Sequence, residues 1–107
     1  MERVRGVCCP LPAALPAAEA TARVEVLKAL ADPTRLRMVG ILRAATEPVC
    51  ICDLTAVFSL SQPTVSHHMS KLRAAGLVDS ERRGIWVYYR LRSDLAPEAL
   101  ALIEAVA

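Results

Sequence analysis

One stretch of the chain, Ser61 to Gly76, carries a start signal, an inner stripe and a stop signal for a single helix. Ser61 can accept a hydrogen bond from the free N–H groups of a first helical turn, and Pro63 falls where its missing N–H would have had no helical partner. Val65, Met69, Leu72 and Ala75 recur at helical spacing and predict a buried stripe. Gln62, Thr64, Ser66, His67, Ser70 and Lys71 lie mostly away from that stripe. They offer short hydrogen-bonding groups that can reach base edges or phosphates. Gly76 supplies the left-handed position after the helix, and Leu77 can fold back on it. An ordinary amphipathic surface helix would share much of this pattern, so the flanking segments decide the reading.

Ile51 to Phe58 is a short apolar-periodic stretch, followed by Ser59-Leu60-Ser61. A short helix, a tight turn and a second helix is the helix-turn-helix plan. Leu77 to Glu81 and Ile85 to Leu91 then read as two strands joined by Arg82-Arg83-Gly84, which puts both arginines at the hairpin tip. In the second strand Ile85, Val87, Tyr89 and Leu91 share one face, and Trp86, Tyr88 and Arg90 the other. Both faces are largely apolar, so packing is expected on each side, with Trp86 and Tyr88 against a helix rather than stacked on nucleotides. The fold class that follows is mainly α with a β-hairpin wing: a winged helix-turn-helix.

Charge is distributed accordingly. From Ser61 to Arg92 there are six basic residues against two acidic ones, a local balance of +4 in a chain whose net charge is +2. Such a basic patch is suited to phosphates, and the contacts expected on DNA are Ser61, Gln62, Thr64, Ser66, His67 and Lys71 on the helix with Arg82 and Arg83 on the hairpin. His68, at the edge of the stripe, is expected to pack rather than to touch DNA.

The 107 residues suit one domain, whose core must be mainly Leu, Val, Ile and Ala because Phe58, Trp86, Tyr88 and Tyr89 are the only aromatic residues. No stretch approaches the ~20 apolar residues of a membrane span. Arg3 and Arg5 before an apolar run superficially suggest a secretory leader, but Pro10, Pro12 and Pro16 interrupt it. The reading is therefore cytoplasmic, with residues 1–18 a flexible N-terminal arm and 19–107 the DNA-binding domain. Thr21 to Ala31 carries Val24, Leu27 and Leu30 at helical spacing. Asp32-Pro33 then opens a second helix to about Ala45, in which Gly40 marks a close helix approach. A last helix is expected from Ser93-Asp94, with Leu95, Leu100, Leu102, Ile103 and Val106 offering a surface for a second subunit.

Four cysteines, Cys8, Cys9, Cys50 and Cys52, carry the remaining chemistry. In an intracellular chain they are expected to be ligands or redox groups rather than disulfides, and their spacing is not the CxxC repeat of structural zinc. In a regular helix Cys50 and Cys52 would point about 200° apart. They converge only if residues 50–52 are extended or unwound at the helix start. A thiolate cluster there selects soft ions: arsenite, antimonite, cadmium, lead or bismuth. The bland alternatives are small buried apolar residues for Cys50 and Cys52, and spectator thiols for Cys8 and Cys9.

The chain resembles the ArsR/SmtB family of metal-responsive repressors. The resemblance rests on Ala31-Asp32-Pro33-Thr34-Arg35-Leu36-Arg37, Val49-Cys50-Ile51-Cys52-Asp53-Leu54, Leu60 to His68, and Gly84-Ile85-Trp86-Val87-Tyr88-Tyr89, in order and spacing. It implies a homodimer that sits on double-stranded operator DNA and leaves it when a metal or metalloid binds. Within the family the Cys-x-Cys-Asp-Leu segment implies the arsenic-responsive or the cadmium/lead-responsive branch. Adjacent Cys8 and Cys9 do not readily bind one ion together, so one of them is expected to complete a three-coordinate site with Cys50 and Cys52. That favours As(III) or Sb(III) over Cd(II) or Pb(II). The family's other site, for zinc on the last helix, needs histidine, and residues 93–107 have none. The competing readings are a repressor that senses oxidants through the same thiols, an enzyme, which is disfavoured because no CxxC pair or catalytic constellation is present, and a winged-helix module serving only protein assembly.

Overall fold

The computed structural model describes residues 10–107. The elements in chain order are α1 (Ala17–Leu30), α2 (Pro33–Ala44), β1 (Val49–Cys50), α3 (Ile51–Phe58), α4 (Gln62–Ala74), β2 (Val78–Arg83), β3 (Trp86–Leu91) and α5 (Pro97–Val106). The three strands form one antiparallel sheet in the order β1-β3-β2. Together they make the winged helix-turn-helix that the sequence predicts.

The local signals act as expected. Asp32 caps α2 by accepting from Arg35 N–H at 3.0 Å, and Ser61 caps α4 by accepting from Thr64 N–H at 3.3 Å. At the other end of α4, Gly76 has φ +76°. Its N–H donates to Arg73 C=O, and Leu77 N–H donates to Leu72 C=O, a paired closure that satisfies two otherwise open carbonyls. Leu77 is buried beneath it. The α3–α4 turn is made differently: Ser59 is left-handed at φ 53° without being glycine.

Met38, Val39 and Leu42 from α2, Ile51 and Leu54 from α3, and Val65, Met69 and Leu72 from α4 meet Leu77, Val78, Tyr89 and Ile103 in one core. Each such aliphatic side chain contributes about 1.5–3 kcal/mol when fully buried, so the α4 stripe is the main force that holds the candidate reading helix in place. Gly40 lies where an added Cβ would stand 3.5 Å from the Ala107 carbonyl oxygen, so the close approach on α2 is to the end of α5.

Four expectations are corrected. α1 begins at Ala17 rather than Thr21, directly after Pro16, and its Val24 and Leu27 remain 42% and 49% exposed while Ala29 and Leu30 enter the core. α5 begins at Pro97, not Ser93-Asp94: Arg92 engages the Asp94 carboxylate at 2.8 Å, and the residue before Pro97 is kept out of helical conformation. Arg82 and Arg83 are the last two residues of β2, and the hairpin turns on Gly84-Ile85. Gly84 has φ +64°, which fits a two-residue turn with glycine first. Trp86 is 47% exposed beside that turn, so the expected packing on both faces fails there, although Tyr88 does pack against the core.

Candidate functional site

The outer face of α4 is built by its stripe. Because Val65, Met69 and Leu72 are fully buried, Ser61, Gln62, Thr64, His67 and Lys71 are exposed, and Ser66 is half-buried toward the wing. The expected helix contacts thus occupy one continuous surface. His68 is half-buried and faces Arg35, its Nδ1 3.3 Å from the guanidinium, in agreement with a packing role.

Between α4 and the hairpin lies a cleft of about 510 Å³ lined by Ser66, Ser70, Arg73, Ser80, Arg82 and Glu81 among others. Arg73 donates to Ser80 Oγ at 3.2 Å across its floor. Arg73 and Ser80 were not read as able to reach DNA, while Ser70 was read as outward-facing but not as one of the expected contacts. Ser66, Ser70 and Arg73 follow helical spacing, a signal available in sequence, whereas Ser80 is brought in only by the strand.

The two hairpin arginines differ. Arg83 pairs with Glu81 and lies 4.5 Å over the Tyr88 ring, so part of its charge is answered within the wing. Arg82 is exposed on the cleft, and among the described residues no ion pair engages it.

The thiols meet at the junction of β1 and α3. Cys50 is the residue before α3 and has extended backbone, φ −67° and ψ 141°. It pairs with Tyr88 in the sheet. Cys52 is the second residue of α3. This change of conformation between them brings Cys52 Sγ within 2.7 Å of Cys50 Sγ, satisfying the condition the spacing imposed. Cys50 is buried and Cys52 exposed. The hydrogen bond to Cys50 pushes the Cys52 thiol above its ordinary value, with desolvation and the nearby Cys50 and Asp53 charges acting in the same direction.

Two thiolates on one tetrahedral ion at ~2.3 Å would stand ~3.8 Å apart, so the pair must open by about 1 Å. Exposed Cys52 is free to turn outward, and the donors suit a soft ion. Among the described residues no group of three or more His, Cys, Asp or Glu is arranged to hold a metal ion. Cys8 and Cys9, the expected source of a third thiolate, lie outside the described residues.

The geometry is matched by comparison with known proteins. The model for the family described as bacterial regulatory protein, arsR family, matches residues 32–80, from the α2 cap through the first half of β2. The arsenic resistance transcriptional regulator ArsR1 of Pseudomonas putida is 43% identical over 81 residues, 76% of this chain and 62% of that protein. The arsenical resistance operon repressor of Escherichia coli is 38% identical over 81 residues, 76% of this chain and 68% of that protein. The chain belongs to the ArsR family. Among solved structures, HlyU from Vibrio cholerae aligns with TM-score 0.72 at 29% identity, covering 84% of this chain and 92% of that one. The homodimeric winged helix-turn-helix DNA-binding domain from Mycobacterium bovis aligns with TM-score 0.69 at 27% identity, covering 84% and 79%. The family is one of regulatory proteins, the two relatives named here are transcriptional regulators, and the chain spans about two thirds of their length. No helix among the described residues is long and apolar enough to cross a membrane.

Proposed function

We propose that this ArsR-family chain is a homodimeric repressor that binds operator DNA through α4 and the wing and is released when As(III) or Sb(III) is bound by Cys50, Cys52 and one of Cys8 and Cys9. The observation that carries the reading is the convergence of Cys50 and Cys52 immediately before the helix-turn-helix.

Two subunits would place two α4 helices in successive major grooves, roughly 34 Å apart. Val24 and Leu27 on α1 with Leu100 and Val106 on α5 are exposed apolar side chains available to the second subunit. Gln62, Thr64 and His67 would face base edges, while Ser61, Lys71 and Arg82 would face phosphates.

A soft three-coordinate ion supplies the free energy that separates two conformations of the protein. The residues determine where that energy is felt. Cys52 belongs to the first turn of α3, and Cys50 belongs to the ladder that joins Tyr88 in the wing. Opening the pair to hold one ion between the thiolates therefore acts on the first helix of the DNA-reading unit and on the sheet behind the wing. Ligand and DNA then oppose each other reciprocally. Emptying an operator from 99:1 to 1:99 takes about 5.5 kcal/mol of discrimination between the two conformations.

The test is fluorescence anisotropy on the promoter DNA beside the gene for this chain, with reduced protein and added arsenite or cadmium. Cys50→Ser and Cys52→Ser are expected to bind DNA like the parent and to resist release by arsenite. Normal release in both variants eliminates the site, and release of the parent by cadmium alone transfers the reading to the cadmium/lead branch.

A further inference from the structure

One side chain ties three helices together away from both the thiols and the outer face of α4. Arg35, in the first turn of α2, donates through Nε to the Ala29 carbonyl oxygen in the last turn of α1 at 2.7 Å. Its Nη1 lies 3.3 Å from Nδ1 of His68, on the buried flank of α4. Its own N–H is held by the Asp32 carboxylate at 3.0 Å. The guanidinium is thus fixed at one end to the helix offered for dimer contact and at the other to the helix offered to DNA.

A guanidinium has only donors, so the contact requires Nδ1 of His68 to act as an acceptor. That fixes the tautomer: the imidazole is neutral with its proton on Nε2. Protonation would place an N–H and a positive charge against a permanent cation, and the link would be lost. The Arg35 side chain shares a cleft with Glu25 and Lys28 from α1 and Lys71 from α4. Glu25 is already engaged by Lys28 at 3.8 Å. Asp32 favours the imidazolium electrostatically, but it is committed as the α2 cap, and Arg35 stands between the two helices.

We propose that Arg35 and His68 are positioning residues that set the orientation of α4 relative to α1, so that operator binding requires the link between them. The proposal rests on the repressor reading above, with α1 in the dimer contact and α4 on DNA. Neither residue need touch the nucleic acid.

The test combines two measurements on the full chain, free of metalloid and reduced. Nitrogen-detected NMR of the histidine side chains at pH 7.5 is expected to show His68 with its proton on Nε2, and Arg35→Met, which has no donor, is expected to weaken that preference. Promoter binding at pH 7.5 is then compared between the parent and His68→Leu, which offers Arg35 no acceptor. Affinity should fall about tenfold, the size of one hydrogen bond to a charged group. His68→Gln, whose carbonyl oxygen can accept from Arg35, should bind within about twofold of its parent at pH 7.5 and show no such fall. A His68 proton on Nδ1, or an equal fall in His68→Gln, overturns the link while leaving the repressor intact. Protein with the expected tautomer that binds no promoter DNA overturns the repressor reading and the link with it.

Discussion

Ser61 is asked to do two things, to cap α4 and to meet the DNA backbone, and substitution separates them. Its Oγ accepts from Thr64 N–H at 3.3 Å and lies 2.9 Å from Thr64 Oγ1. Helix N-caps of this type contribute about 0.5–2 kcal/mol. A bond longer than the usual ~2.9–3.0 Å, at an exposed site, belongs in the lower part of that range, about 0.5–1 kcal/mol. With a urea dependence of about 2 kcal/mol/M, Ser61→Ala should lower the unfolding midpoint by about 0.25–0.5 M without changing the slope. Protein concentration must be held constant, because the midpoint of the proposed dimer would depend on it. Ser61→Asp retains a capping oxygen and places a negative charge at the positive end of the helix, so its midpoint should equal or exceed that of the parent. The same carboxylate would repel phosphate. Anisotropy at fixed salt should therefore rank DNA affinity as parent, then Ser61→Ala, then Ser61→Asp, while stability ranks Ser61→Ala last. An unchanged midpoint in Ser61→Ala would refute the capping argument, and parent-like DNA affinity in Ser61→Asp would remove Ser61 from the backbone contacts.

Three further outcomes follow from the same structure. Ser59→Gly should stabilise the fold by about 0.5 kcal/mol, since glycine adopts the left-handed position without the side-chain clash but loses more freedom on folding; thermal unfolding that shows a loss would contradict it. Arg82→Ala should weaken promoter binding and reduce the slope of log affinity against log salt by about one, and an unchanged slope would place Arg82 off the phosphates. The Arg92 guanidinium, through its hydrogen bonds, holds the Asp94 carboxyl below its ordinary value, so this pair stabilises the fold above the carboxylate range and its contribution is lost as pH falls below about 4. The stability difference between the parent and Asp94→Asn should accordingly vanish in acid, where a constant difference would show that the charge is not the cause.

What could be read from sequence was mostly local. The Ser61 cap, the Val65-Met69-Leu72 stripe and the Gly76 stop each depend on residues within a few positions of one another, and all three appear in the structure. The hairpin was displaced because Arg82-Arg83-Gly84-Ile85 allows more than one place to turn. Gly84 needed a positive φ as the first turn residue, which carried both arginines back into β2. Trp86 misled for a different reason: alternation identifies which residues share a face, but not whether anything covers that face. β1 is only two residues long, too short for any period, yet the extended conformation it imposes on Cys50 was the stated condition for the thiols to meet. The Arg35–His68 contact joins residues 33 positions apart and has no sequence signature.

The placement of the thiols also bears on why a two-residue strand should exist at all. A helix that began earlier than Ile51 would have turned Cys50 and Cys52 to opposite sides. Pairing Cys50 with Tyr88 keeps its backbone extended, and burial of Ile51 and Leu54 fixes the next turn as helix. The thiol geometry is therefore a property of the wing sheet and the core jointly. In the proposed repressor this makes the sheet part of the sensor: a change that unpairs β1 from β3 would separate the sulfurs without touching either cysteine. Tyr88 is the residue opposite Cys50, and its ring also carries Arg83. Tyr88 thus stands opposite Cys50 in β1 and opposite Glu81 in β2, which places the thiol site and the basic wing on either side of one strand.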